Sequence, residues 1–219
     1  MTVTTTIDDG VAVITLDDGK MNAVSHEVVD GLHAALDQAL ADAGAVCIRG
    51  NDRALSAGFD LKVMGTGDLE AIGKLVNAGG ALLMRLFVHP QPTVVAVTGH
   101  ALAAGALLVL TCDTRIGTEG KAKIGLNETA IGMALPEFAY ELASARLSKR
   151  YLTRAAVQAE IFDPAGAVAA GYLDRLEADP AAAALAEAKA LAQLPVAAYA
   201  GTKRSLRQPM VDRVLANLR

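Results

Sequence analysis

Apolar and polar positions alternate most clearly at the start of the chain. Val3 to Ile7 and Val11 to Leu16 flank Asp8-Asp9-Gly10, a pattern that predicts a β-hairpin. The period then lengthens. Val28, Val29, Leu32, Ala35, Leu36 and Leu40 recur at helical spacing behind Ser25, which is suited to cap a helix start. Ala45 to Arg49 is a short apolar run of the buried-strand type. From Gly65 to Gly80 glycines are frequent and the pattern fades, so a mobile loop is expected there, leading into a helix through Leu82, Leu83 and Leu86. Pro90 and Pro92 end that helix before a strand at Val94 to Val97. A helix through Leu107, Leu108 and Leu110 feeds a strand at Thr114 to Gly117, and short strand, turn and helix units continue to Ile124. From Glu137 onward the pattern is helical almost throughout, with Pro164, Pro180, Pro195 and Pro209 as starts or breaks and Ala181 to Ala192 as an Ala-rich helix. Strands alternating with helices, then helices alone, argue for one domain with an α/β core and a helical C-terminal part.

Composition narrows this picture. The 219 residues are 53% hydrophobic and include no Trp, so packing relies on small side chains and close backbone contacts, with room for self-association. A net charge of -4 gives no basic field and excludes nucleic acid as an expected partner, while a local basic patch can still hold a phosphorylated group. Cys47 and Cys112 lie in apolar segments without ligand-type neighbours, and read as buried thiols. The opening Met-Thr-Val-Thr-Thr-Thr lacks the basic and apolar regions of a signal peptide. The longest apolar run, Val94 to Cys112, is broken by Thr98, Gly99 and His100 and followed by Asp113 and Arg115, which suits strand–turn–helix better than a membrane span. The expectation is a cytoplasmic protein with no membrane partner.

Candidate chemistry sits in two small-residue turns and one carboxylate. Ser56-Ala57-Gly58-Phe59-Asp60-Leu61-Lys62 and Gly99-His100-Ala101-Leu102-Ala103-Ala104-Gly105 each follow a β-branched run and lead toward a helix. Small residues there let the backbone approach a ligand and aim N–H groups at an oxygen. Two such donors converging on a thioester carbonyl make an oxyanion hole, and a carboxylate nearby can remove a proton alpha to that carbonyl. Gly125-Leu126-Asn127-Glu128 supplies the carboxylate, although a glutamate in a turn is also a common solvated charge. The four histidines show no triad or metal spacing, so no metal is expected.

These segments, with Lys20-Met21-Asn22-Ala23, Cys112-Asp113-Thr114-Arg115-Ile116 and Phe162-Asp163-Pro164-Ala165 through Gly171-Tyr172-Leu173-Asp174-Arg175, resemble the crotonase, or enoyl-CoA hydratase/isomerase, superfamily in order and spacing across nearly the whole chain. The resemblance implies an α/β crotonase fold, a spiral core of ββα repeats over residues 1–194 followed by a C-terminal helical segment, 195–219, used for assembly into a homotrimer or a dimer of trimers. It also implies an acyl-CoA thioester substrate, with coenzyme A carried as part of that substrate and no permanently bound cofactor.

Carried over position by position, the backbone donors are Phe59 and Ala104. This chain has Ala103-Ala104-Gly105 where the family commonly has three glycines, which suits a backbone donor provided Ala104 keeps a negative φ. Hydratases of the family hold a water between two glutamates. The first of those positions is Leu107 here and the second is Glu128, and the run Ile124 to Thr129 is closest to the Δ3-Δ2-enoyl-CoA isomerases, which use the single glutamate. Leu107, Leu126, Ile131 and Pro136 are expected to wall the acyl pocket and raise the glutamate's pKa. Glu137 is either a second acid facing the pocket or the first-turn carboxylate of a helix, the reading favoured by its place after Pro136. Asp60 reads as a turn residue rather than a base. For coenzyme A the resemblance implies Lys20, Met21, Ala57, Gly58, Asp60, Leu61 and Lys62, with Lys62 or Lys203 toward phosphate. The activities left open are isomerisation on Glu128, hydration by Glu128 with Glu137, and acyl-CoA binding without catalysis.

Overall fold

In the computed structural model, which describes residues 2–218, the hairpin forms as β1 (Val3–Asp8) and β2 (Val11–Leu16), paired antiparallel from Val3 opposite Leu16 to Asp8 opposite Val11. Asp9 and Gly10 take φ of 49° and 77°, the left-handed pair that lets a two-residue turn follow the strand twist. Helix α1 (His26–Asp42) starts where Ser25 accepts a bond from the Val28 N–H at 3.3 Å. Its buried stripe runs through Val28, Val29, Leu32, Ala35, Leu36 and Ala39. The expected Leu40 is instead 46% exposed, because at 100° per residue it falls at the stripe's edge and Ala39 fills its centre.

Three successive chain segments then repeat one device. Each gives a strand to a large sheet and the next strand to a small one: β3 (Ala45–Arg49) then β4 (Ala54–Ser56), β5 (Thr93–Val97) then β6 (His100–Leu102), and β7 (Thr114–Thr118) then β8 (Ile124–Gly125). The large sheet has the order β1-β2-β3-β5-β7-β9, parallel from β2 onward, with β9 (Arg175–Glu177) at its edge. The small sheet, β4-β6-β8, is parallel throughout. This is the ββα spiral of the crotonase fold. Its consequence for function is simple: the C-terminal ends of β4, β6 and β8 emerge side by side.

Helices α2 (Leu61–Met64) and α3 (Leu69–Phe87) follow β4, and α4 (Ala104–Thr111) follows β6. The loop expected over Gly65 to Gly80 is therefore mostly helix. Asp68 caps α3 by accepting from the Glu70 and Ala71 N–H groups at 3.0 and 3.1 Å. Its glycines mislead because they are packing devices: a Cβ on Gly79 would lie 2.4 Å from the Phe59 ring, and one on Gly80 would lie 2.6 Å from the Phe138 ring. Two aromatic rings occupy the space that side chains would need.

Beyond the small sheet, the chain forms α5 (Glu137–Arg146), a π-helical turn (Thr153–Val157), α6 (Pro164–Ala170), the strand β9, α7 (Pro180–Leu191) and α8 (Val196–Asn217). Pro164 and Pro180 open their helices behind the capping carboxylates of Asp163 and Asp179. Pro195 precedes α8, whereas Pro209 lies inside it and neither starts nor breaks it. Strand β9, in a stretch expected to be helical, is too short to show a period of its own.

Alternation along the large sheet divides the core. Val11, Val13, Cys47, Val94, Ala96 and Ile116 face α7, against Ala184 and Ala188. Ala12, Ile14, Ile48, Val95 and Val97 face the main core with α1, α3, α4 and α5. Helix α8 is pinned by a buried carboxylate: Asp113 accepts from the Thr93 N–H (2.9 Å), Tyr199 Oη (2.7 Å), Lys203 Nζ (2.5 Å) and Arg207 Nη1 (2.7 Å). No helix among the described residues is long and apolar enough to cross a membrane.

Candidate active site

The three segments singled out by their residues all leave the same edge of the small sheet. Ser56 pairs with Ala101, and Leu102 pairs with Gly125. Phe59, Ala104 and Glu128 each follow one of these paired residues by the same short step, so all three stand in the turns that leave this edge.

The first turn is shaped by local bonds. Ser56 Oγ accepts from the Gly58 N–H at 3.2 Å, and Asp60 Oδ1 accepts from the Lys62 N–H at 2.9 Å, which caps α2 and accounts for Asp60 as a turn residue. Gly58 sits at φ 109°, and a Cβ there would meet the Ala103 Cβ at 2.9 Å and the Ala104 N at 3.8 Å. Glycine is thus what allows the two turns to touch. Phe59 forms a parallel bridge with Val24 in which Gly58 O accepts from the Val24 N–H (2.8 Å) and the Asp60 N–H donates to Val24 O (3.0 Å). The bridge uses the groups on either side of Phe59, so the Phe59 N–H points away from Val24.

In the second turn the unusual backbone is at Ala103, not Ala104. Ala103 has φ 49° and ψ -122°, a region that favours glycine, whereas Ala104 is the first residue of α4 and is not among the positive-φ residues. At that place its N–H has no intrahelical acceptor. Phe59 and Ala104 share a small apolar cavity of about 20 Å³ with Val24, Leu82, Leu83 and Leu108. The alanine departure is accommodated, with the positive φ on Ala103, one residue before the donor.

Glu128 stands at the start of a 3-10 turn (Thr129–Ile131), where its carbonyl accepts from the Ile131 and Met133 N–H groups at 3.1 and 2.9 Å. It is 9% exposed, and its Oε2 has no hydrogen-bond partner among the described residues. Burial raises its pKa, offset in part by its own N–H and that of Asn127. Of the residues expected to wall the acyl pocket, Leu107 and Leu126 are fully buried in the main core. Ile131 is not: it is 59% exposed, because the 3-10 turn carries it outward, and Pro136 is half-buried. Glu137 opens α5 as its first-turn carboxylate, and its Oε2 accepts from Asn217 Nδ2 at 2.9 Å, tying α5 to the end of α8.

The residues expected at coenzyme A are only partly drawn together. The segment from Met21 to Val24 runs beside the first turn, with the Ala57 N–H donating to Met21 O at 2.9 Å. Lys20, Leu61 and Lys62 are exposed, Leu61 to 78%. Lys203 is not a surface cation. Its ammonium is buried and donates to His89 O, Gln91 O and Asp113, so it holds α8 and has no donor to spare for phosphate. Nothing in the residue pattern singled out Tyr172 or the Asn127 side chain, whose polar atoms, like Glu128 Oε2, are buried without a hydrogen-bond partner. A tyrosine or asparagine in an apolar stretch was the only available signal.

Comparison with known proteins places the fold. A sequence profile described as Enoyl-CoA hydratase/isomerase matches residues 6–219. The crystal structure of an enoyl-CoA hydratase/isomerase family protein from Pseudomonas syringae is 44% identical, with a TM-score of 0.95 over 99% of this chain and 95% of that one. The crystal structure of an enoyl-CoA hydratase from Mycobacterium ulcerans is 36% identical, with a TM-score of 0.94 over 100% and 96%. Human mitochondrial delta3-delta2-enoyl-CoA isomerase is 27% identical, with a TM-score of 0.93 over 99% and 87%. Some curated relatives are matched over about half their length, 52% for one from Bacillus subtilis.

Proposed function

The chain belongs to the enoyl-CoA hydratase/isomerase family of the crotonase superfamily, and from that premise we propose that it is a Δ3-Δ2-enoyl-CoA isomerase acting through Glu128. The Phe59 and Ala104 N–H groups hold the thioester oxygen as negative charge develops on it. Glu128 takes a proton from the alpha carbon, the dienolate rests in the oxyanion hole, and the same carboxyl returns the proton at the gamma carbon. Burial among apolar side chains serves this cycle twice, by raising the pKa toward the working range and by excluding the water that hydration would need.

The observation that carries the reading is the contrast between two buried positions. Leu107, where hydratases of the family place their first carboxylate, is an apolar core residue, while Glu128 keeps a buried carboxyl with a raised pKa. A hydratase built on Glu128 and Glu137 is less well supported, since Glu137 is engaged by Asn217. The coenzyme A moiety runs along Met21 and the Ala57–Asp60 turn, and the active assembly is a trimer or a dimer of trimers involving α8.

Purified protein is given a 3-enoyl-CoA and, separately, a 2-enoyl-CoA, and the ultraviolet band of the conjugated thioester is followed. Growth of that band with the first substrate and no loss with the second is the expected result. Hydration of the 2-enoyl-CoA, or activity that survives Glu128→Gln and disappears in Glu137→Gln, overturns the assignment. Binding of acyl-CoA without turnover of either substrate indicates the non-catalytic reading. Light scattering checks the trimer.

A further inference from the structure

Side-chain polar atoms of the candidate base, its neighbour Asn127 and Tyr172 are buried without a hydrogen-bond partner: Glu128 Oε2, Asn127 Oδ1 and the Tyr172 hydroxyl, which lies within the field of the Glu128 charge and against the Leu126 N–H. An amide oxygen and an ionised carboxylate can only accept. Of the three, the phenol alone carries a proton to give. Tyr172 is fully buried, and its place is set by the end of α6. Gly171, at φ 91°, closes that helix in a left-handed turn, and the Tyr172 N–H returns to Ala167 O at 2.8 Å. The ring then tilts against Phe162, with centroids 5.9 Å apart. Phe162 exchanges backbone bonds with Ile124 of β8, at 3.0 and 2.9 Å, four residues before Glu128. The phenol's ring is therefore tied to the strand that leads to the base.

Resting on the reading of Glu128 as the base, we propose that Tyr172 is its positioning residue: the phenol O–H donates to the inward carboxylate oxygen, Oε2, and leaves Oε1 to the substrate. The bond is open in this structure and closes as the pocket tightens on a bound thioester, as catalytic hydrogen bonds commonly do. Burial and the Glu128 charge hold the Tyr172 pKa well above its ordinary value, so the phenol stays protonated and remains a donor. The other charged groups on the neighbouring segments are engaged elsewhere or exposed. Glu137 accepts from Asn217, Asp163 from the Gly166 N–H, and Glu160 from Arg154, while the Lys123 side chain is exposed.

Tyr172→Phe removes the hydroxyl and keeps the ring. With a donor to the ionised form gone, the Glu128 pKa rises, and the acidic limb of the kcat profile for a 3-enoyl-CoA moves up by about half to one pH unit. KM stays near that of the parent, and any fall in Tm is small, because the hydroxyl's proton has no acceptor in the resting fold and only its contact with the Leu126 N–H is lost. A residue that acts only by packing gives the opposite result, a lower Tm with an unmoved profile. The second readout does not need turnover. In glutamate-labelled protein the carbon-13 carboxyl signal of Glu128, assigned through Glu128→Gln, is titrated in the parent and in Tyr172→Phe with a saturating non-reactive acyl-CoA thioether bound. An upward shift in the variant supports the proposal even if the parent converts no 3-enoyl-CoA, an outcome that overturns the isomerase reading alone. Superimposed titrations overturn the role of Tyr172.

Discussion

Asp113 and Glu128 both carry carboxylates largely withdrawn from solvent, and the protein treats them oppositely. Burial pushes both pKa values up. At Asp113 the charges of Lys203 and Arg207, with hydrogen bonds from Lys203 and Tyr199, more than reverse this and hold the carboxyl below its ordinary value. At Glu128 no charged partner intervenes, and the pKa stays raised. One carboxylate is fully engaged in joining α8 to the body of the fold. The other is kept short of partners, a state that costs stability and leaves an oxygen free for chemistry. Charged partners, not depth, separate a structural carboxylate from a candidate catalytic one.

The largest expected effect is on turnover. Glu128→Gln keeps the shape and loses the proton carrier, so isomerisation should fall by roughly 10²–10⁴-fold while acyl-CoA binding stays close to the parent's. Equal loss of binding would make Glu128 part of the binding surface and dissolve the contrast. Asp113→Ala should act in the reverse sense. It strands two buried cations and is expected to cost about 3–5 kcal/mol, seen as a fall in Tm on the order of 10 °C. A change within about 0.5 kcal/mol would show that the cluster merely decorates α8.

The two groups should also slope oppositely with pH. A lowered folded-state pKa gives stability that is present above the ordinary carboxyl pKa and lost as pH falls through the folded value. The advantage of the parent over Asp113→Ala should therefore shrink in acid. A raised folded-state pKa gives stability that is present at low pH and lost as pH rises through the folded value. Glu128→Gln should then match the parent near about pH 4 and exceed it in stability near neutrality. Urea unfolding of the three proteins across that range checks both slopes, and parallel curves would refute the pairing.

How much of this was legible in the residues follows from the range of the forces involved. The hairpin, α1 and the strand–turn–helix units depend on neighbours within a few positions, and their pattern is visible in the chain. The spacing of Phe59, Ala104 and Glu128 was legible too, through the family resemblance, and the small sheet sends their three segments out of one edge. What stayed hidden depends on distant partners. Gly79 and Gly80 signal a loop until the Phe59 and Phe138 rings are seen occupying their Cβ space. Lys203 looks like a surface charge until Asp113, ninety residues earlier, is found beneath it. Ile131 looks like a pocket wall, because periodicity cannot tell which way a single 3-10 turn faces.

The finest comparison is between the two turns themselves. The first reaches its positive φ with Gly58, at no steric cost, whereas the second uses Ala103 at φ 49°, ψ -122°, where a Cβ is strained by about 1–3 kcal/mol. Ala103→Gly should recover part of that strain, less the extra entropy of glycine in the unfolded chain, for a net gain of about 0.5–1 kcal/mol. Its effect on turnover separates two roles for the strain. If Ala103 only bears the bend that aims the Ala104 N–H, the glycine variant keeps its kcat. If the methyl, in contact range of Gly58, also braces one turn against the other, the donors loosen and kcat falls while Tm rises. Measuring both on the same preparation decides which, and a fall in Tm would show that the Ala103 backbone is not strained.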